Sequence, residues 1–394
     1  MRNASLIIAV LAVFPGLGPV IAKDAGPPPT ATPTTKAALW LLPAARPMPT
    51  DKLGPFIRLA DRGILTVDKS SAFISHDEGI SWSQPIAMFP AETPALLSEE
   101  RSVLLTRGGT IVVTYADQAT RSQQNWNSKV KDFVPEVRND LWSVRSTDGG
   151  KTWRDVQLVQ SGYGLTRDMI QAGNGNLVLM AQNMVRNPPR HVTTFYYSRD
   201  DAKTWQAASY VDKSGAAHVT IDIGGHGHHD GAIEPAVEIL GDGRLWMLIR
   251  TGHDWFWQAF SDDHGVTWKD LGKSSIGASA APATLKRLVS GRLLLLWNQL
   301  YPEGASSYER RGPDWHEVPA SYHREELSAA LSSDDGKAWT PPVVLARQRG
   351  AWLAYANVFE RQPGELWITT MHGGLRILLN EKDLLAGEKP KPSR

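Results

Sequence analysis

The chain reads as an all-β protein, a six-bladed β-propeller, on two recurring signals and one absence. An outline of Ser, any residue, Asp, four residues and Trp occurs five times, at Ser75–Trp82, Ser146–Trp153, Ser198–Trp205, Ser261–Trp268 and Ser332–Trp339. Upstream of each copy a turn leads into a short apolar run: RGILTV (62–67), RGGTIVVTY (107–115), GNGNLVLMA (173–181), GDGRLWMLIR (241–250) and SGRLLLLWN (290–298). A sixth run, PGELWITT (363–370), has no outline after it, and no long helical period interrupts the series. Units of this kind cannot bury their own faces and must stack on one another. Radial stacking of strand-rich units leaves only short, protected edges.

The repeated outline is turn chemistry. Ser and Asp side chains bond nearby backbone N–H groups, Gly admits positive φ, and the Trp ring pins the turn to the sheet beneath. It is expected between the last two strands of each blade, with no part in catalysis. The Ser198 copy is the least regular, with Ala202 where the others carry Gly. A strand near Ala38–Pro43 (ALWLLP) is expected to complete the last blade.

Before the first unit, Met1–Ala22 has a charged start, an apolar stretch broken by Pro15 and Gly18, and small residues at its end. That pattern predicts a secretory signal, residues 1–22, and a secreted or periplasmic protein. Residues 23–36 are rich in Pro and Thr and read as a linker. The propeller is expected to occupy residues 37–394. Nothing in it is long and apolar enough to span a bilayer.

With no cysteine in the chain, disulfides, thiolate-bound zinc and a thiol nucleophile are excluded. A net charge of +1 with mixed signs offers no basic stripe for nucleic acid. No cofactor is expected, and nothing in the sequence calls for an oligomer, so a monomer is expected.

The five turns and the strands between them resemble the sialidase-like propellers with BNR (Asp-box) repeats, over nearly all of the chain after the linker. That resemblance implies the fold and, more weakly, a reaction, because one fold hosts many activities. In sialidases three arginines grip the substrate carboxylate, a Tyr/Glu pair supplies the nucleophile, and an Asp is acid/base. A neutral phenol suits attack at a carbon that already bears a carboxylate. Carried over by position, the resemblance nominates Arg101 in SEERSVLLTRGG, and Glu234 and Arg250 in EPAVEILGDGRLWMLIR. It further nominates Arg324 in HREELSAAL and Tyr355 in LAYANVFE. Three arginines near one point imply a bound carboxylate or sulfate.

The implied activity is removal of a terminal acidic sugar, sialic acid or similar, from a glycan by an exo-acting glycoside hydrolase. The acid/base falls in a long loop, where Asp132 is the candidate and Asp117 and Asp140 the alternatives. A second cluster, IGGHGHHDGAIEP (223–235), sets His226, His228, His229 and Asp230 just before Glu234. It admits three readings: metal ligands, a His general acid/base with His229 as candidate, or a surface loop bonded to its neighbours. Trp255, Phe256 and Trp257 are either a platform for a sugar face or blade packing. Two further readings keep the propeller: a uronic-acid glycan lyase or hydrolase using His and Tyr, and a glycan-binding propeller without catalysis.

Overall fold

A computed structural model describes residues 37–122 and 125–385, so the expected signal and linker lie outside the described residues. Among the described residues, two two-stranded hairpins lie apart from six blade sheets, which follow one another along the chain and are antiparallel except where Ser209–Val211 pairs parallel with Thr267–Gly277 in blade 4. Their inner strands are Phe56–Arg58, Leu97–Leu105, Leu165–Gln171, Ile233–Ile239, Thr284–Arg287 and Ala354–Gln362, for blades 1 to 6 in order. Each lies beside the inner strands of the two neighbouring blades, and the first meets the last, so the ring closes. The six apolar runs found in the sequence are the second strands, from Ile64–Asp68 in blade 1 to Glu365–His372 in blade 6.

Closure differs from the expected form. Trp40–Leu41 pairs with Val343–Arg347 and adds a fifth strand to blade 5. The strand that completes blade 6 is Arg46–Pro47, paired with Arg376–Asn380. Proline is tolerated there because the strand is an outer edge and has no further ladder to donate to.

The apolar core is divided among the seams between blades. Leu65, Val67, Val113 and Tyr115 fill the seam of blades 1 and 2, Val178, Met180, Val237 and Met247 that of blades 3 and 4, and Leu294, Leu296, Leu366 and Ile368 that of blades 5 and 6. Both faces of every sheet are therefore buried, as the second strands show: Leu245–Arg250 and Leu293–Trp297 are buried at every position.

The five Ser-x-Asp turns join the third and fourth strands of blades 1 to 5. In each, the Ser hydroxyl donates to the Asp carboxylate at 2.8–2.9 Å and accepts the backbone N–H four residues on at 2.8–2.9 Å. In blade 1, hydrogen bonds from Ser81 and Ser75 pull Asp77 down to about 2. The turn then presses on the second strand of the preceding blade. Gly79 (φ +87°) and Gly336 (φ +78°) each lie against a Trp ring, and an added Cβ would stand 2.5 Å from Trp367 and 2.6 Å from Trp246 respectively. In blade 3 the matching neighbour is Val112 rather than Trp, and Ala202 fits at φ 62° in the cluster that holds it.

Strand direction fixes where chemistry can sit. Inner strands begin, and second strands end, at one end of the ring; the Ser-x-Asp turns lie at the other. Between them runs an axial cavity of about 630 Å³ lined by all six inner strands.

Gly336→Ala is expected to lower stability by about 2 kcal/mol or more, from the positive φ and the clash with Trp246 together. Ala202→Gly should change it by less than ~1 kcal/mol. Thermal melts of the two variants check the contrast.

Candidate active site

At the strand-head end of the ring, Glu234 and Tyr355 begin the inner strands of blades 4 and 6. Both adopt left-handed backbone, φ 45° and 62°, which non-glycine residues take only at a cost of about 1–3 kcal/mol each. Glu234 lies in a bulge between Ile233 and Ala236, and its N–H donates to Gln182 Oε1 at 3.0 Å. The bulge turns its side chain toward the axis instead of along the pleat.

The two side chains meet. The Tyr355 hydroxyl donates to Glu234 Oε1 at 2.8 Å, and Arg250 Nη1 donates to Glu234 Oε2 at 2.7 Å and to the Tyr355 hydroxyl at 3.1 Å. Arg250 is the last residue of its strand, 1% exposed, and Glu234 and Tyr355 are each 7% exposed. Burial works against charge on Glu234, but Arg250, then Arg167 and the Tyr355 hydrogen bond, outweigh it and hold the carboxyl below its ordinary value. Burial and then the Glu234 charge push the Tyr355 phenol well up, with Arg250 and Arg324 opposing. At rest the pair is a phenol donating to a carboxylate.

Two more arginines face the phenol. Arg324 Cζ lies 5.4 Å and Arg167 Cζ 4.8 Å from the Tyr355 ring centroid. Arg324 Nη2 donates to Ala280 O at 2.7 Å and Arg167 Nη2 to Ala356 O at 3.1 Å. Four buried guanidinium nitrogens here have no hydrogen-bond partner among the described residues: Arg167 Nη1, Arg250 Nε and Nη2, and Arg324 Nε. Three cations thus surround one carboxylate with donors unspent, an arrangement chemically suited to an anion.

Arg101 is not among them. Its guanidinium donates to Ser98 O and Gly54 O, at 2.9 and 3.1 Å, and faces Asp68 at 3.9 Å. Arg167, which the sequence reading missed, holds the place expected of it. Asp132 is also elsewhere: half-exposed, it pairs with Arg186 at 3.2 Å and accepts the Phe133 N–H. Asp117 accepts the N–H groups of Leu96 and Ala119, and Asp140 pairs with Arg138 at 2.6 Å.

A carboxyl that the sequence reading missed is Glu100, on the inner strand of blade 2. Counted back from the turn glycine of each blade, Glu100 precedes Gly109 by nine residues, as Glu234 precedes Gly243 and Tyr355 precedes Gly364. The three residues hold the same position in alternate blades. Withdrawal from water raises the Glu100 pKa, Arg121 and Arg167 oppose the rise, and the Glu234 charge adds to it. Burial thus pushes one carboxyl toward its neutral form, while the guanidiniums hold the other toward its ionised form.

The His228 and His229 imidazoles of the His-rich loop lie against aromatic neighbours. His229 stacks on Trp315, centroids 4.4 Å apart, and lies tilted against His228 at 4.2 Å; His228 stacks on Trp126 and its Nε2 meets Asn125 Oδ1 at 2.9 Å. Asp230 accepts the N–H groups of His226 and Glu317, at 3.1 and 2.8 Å. Burial first, then neighbouring His and Arg charges, holds His229 well below its ordinary value and takes His228 to about 3. No hydrogen bond joins either ring to Tyr355 or Glu234. Among the described residues, no three or more His, Cys, Asp or Glu converge as a metal site. Phe256 is buried with Trp246 in the seam of blades 4 and 5 and so offers no face to a sugar, Trp257 packs on the neighbouring core, and Lys273 Nζ lies 3.7 Å from the Trp255 ring centroid.

A family model described as a BNR repeat-like domain matches residues 70–368. The chain belongs to the BNR repeat-like family. No curated protein matches it. Among solved structures it resembles a protein of unknown function from Dyadobacter fermentans, with TM-score 0.57 and 15% identity over 86% of this chain and 100% of that one. A Hadza microbial sialidase is similar at TM-score 0.56 and 17% identity, over 86% of this chain and 66% of that one. A Penicillium chrysogenum α-L-arabinanase, solved with arabinobiose, is similar at TM-score 0.52 and 13% identity, over 88% of this chain and 99% of that one. These likenesses bear out the six-bladed sialidase-like fold, and glycoside hydrolases stand among the structural neighbours. Among the described residues no helix is long and apolar enough to cross a membrane.

Burial takes His191 and His372 to about 4, so with His228 and His229 they stay neutral while an unfolded chain takes up protons near 6.5. Stability should therefore fall as pH drops from about 7 to 4. Asp168, pushed up to about 7 by burial, and Glu100, also raised by burial, act in the opposite sense, while His316 and His323, lowered by burial, add to the fall. Melting temperatures across the range, with the NMR shifts of the His191, His228, His229 and His372 imidazoles unchanged down to about pH 5, check this.

Proposed function

We propose that the protein is an exported, exo-acting retaining glycoside hydrolase that removes a terminal acidic sugar, sialic acid or a close relative, from glycans. The observation that carries this reading is the Tyr355–Glu234–Arg250 trio, whose phenol donates to a carboxylate at 2.8 Å under a guanidinium. Left-handed backbone at both Glu234 and Tyr355 supports it, since strain of this kind is retained where geometry serves function.

In the first step the Tyr355 oxygen attacks the anomeric carbon as its proton passes to Glu234 Oε1. Arg250 stabilises the charge that develops on the phenol oxygen. The glycosidic oxygen leaves with a proton from Glu100, the carboxyl favoured in its acid form. Water, deprotonated by Glu100, then attacks the glycosyl–tyrosine, and Glu234 returns the proton to the departing phenol. Arg167, Arg250 and Arg324 hold the sugar carboxylate throughout. This anion requirement favours an acidic sugar over the neutral arabinose units of the arabinanase neighbour. The uronate-lyase reading draws less support, because the imidazoles it would use, His228 and His229, are committed to stacking.

Tyr355→Phe is expected to lower kcat on a fluorogenic sialoside by about 10³-fold or more with the melting temperature nearly unchanged, and Glu234→Ala to lower kcat as much with a reduced melting temperature, because Arg250 is left buried without its counter-charge. Full activity in either variant contradicts the reading. Glu100 must be protonated and Glu234 ionised, so kcat/KM should follow a bell, falling on the alkaline side as Glu100 loses its proton. In Glu100→Gln that alkaline limb should vanish. The loss of rate should be about 10²-fold or more on sialyllactose and much smaller on a substrate with an activated leaving group.

A further inference from the structure

The loop of blade 5 between residues 298 and 325 carries a two-stranded hairpin, Arg310–Arg311 paired with Ala320–Ser321. Its two arginines have different fates. Arg310 donates to Pro319 O at 2.8 Å and to Asp254 Oδ2 at 2.5 Å, fixing the hairpin to the loop of blade 4. Arg311 has no side-chain hydrogen bond or ion pair among the described residues. Its guanidinium lies over three rings instead, with Cζ 4.9 Å from the centroid of Trp315, 4.8 Å from Tyr322 and 5.7 Å from Trp352.

Two of those rings are shared with the site. Arg324 Cζ is 4.1 Å from the Tyr322 centroid and 4.9 Å from that of Trp352, and Trp352 leads through His372 to the Tyr355 ring. Since one Tyr322 ring touches both guanidiniums, these lie within ~9 Å of each other, where like charges repel unless an anion intervenes. The three rings lie about the Arg311 guanidinium without accepting its hydrogen bonds, which leaves its N–H groups for an oxyanion. Arg311 is only half-buried, so the position opens to solvent at the rim.

We infer that Arg311 and the Trp315–Tyr322–Trp352 wall form a second anion subsite. It receives a sulfate or carboxylate on the sugar adjoining the terminal one. The inference rests on the proposed function, which puts the terminal sugar's carboxylate at Arg324. It narrows the substrate class to glycans with acidic groups on two successive sugars.

The test is binding, followed by tryptophan fluorescence in the Tyr355→Phe protein so that no turnover occurs. The ligands are 3′-sialyllactose, the same glycan sulfated on its galactose, and an α2,8-linked disialyl glycan. One or both dianionic ligands should bind about tenfold or more tighter than sialyllactose, and the tighter of the two identifies the second anion. Adding Arg311→Gln should remove that advantage, and Arg311→Lys should retain part of it. Equal affinity for all three overturns the second subsite and leaves the acidic-sugar reading standing. Failure of all three to bind overturns both.

Discussion

The Glu234 carboxylate, held between the Arg250 guanidinium and the Tyr355 phenol, is the interaction on which the rest of the site depends. Blade 4 supplies the acid and the guanidinium and blade 6 the phenol, so the trio ties two non-adjacent blades across the axis. Removing one partner from such a buried pair leaves an uncompensated charge, and the strained backbone at both strand heads would lose its anchor. The ring makes the arrangement possible. Six seams of apolar packing fix the inner strands, and the Ser-x-Asp turns lock each blade to its predecessor at the far end.

Electrostatics give the site its direction. Glu234 is kept ionised mainly by Arg250, while Glu100 is driven toward its neutral form by withdrawal from water. Two carboxyls at equivalent positions in alternate blades are thereby set apart, as the proposed roles of base and acid require. The arginines that keep Glu234 charged also carry the unspent donors. Arg250 and Arg324 are each 1% exposed with those donors unpaired among the described residues, which suits the proposed anionic ligand.

Much of this was legible in the chain because turn chemistry is local. Ser and Asp two residues apart, with Gly after them, specify their own hydrogen bonds, and all five turns stand where the sequence places them. The second strands were equally legible as apolar runs after turn residues. The closing strand was not, because Arg46–Pro47 is two residues long and has no period, while ALWLLP carries the apolar signal and covers blade 5 instead. At the site, Glu234, Tyr355, Arg250 and Arg324 come together as their order suggested, but Arg101 does not. Arg101 and Arg167 stand at the same distance before their turn glycines, and bulges near both strand heads decide which side chain reaches the axis. Strand alternation cannot reveal that. Glu100 was recoverable from the nine-residue spacing it shares with Glu234 and Tyr355. Asp132 was proposed from a loop with no motif, and its partner Arg186 lies far along the sequence. The His-rich loop was ambiguous because stacking partners such as Trp315 and Trp126 come from distant loops.

The most direct measurement of the central claim is mass spectrometry of the mature protein after reaction with 2,3-difluorosialic acid, which slows hydrolysis of a glycosyl–enzyme. A covalent fluorosialyl adduct mapping to Tyr355, and absent from Tyr355→Phe, is the result expected of the trio acting as nucleophile, base and stabiliser. An adduct on another residue, or none at all, would contradict it.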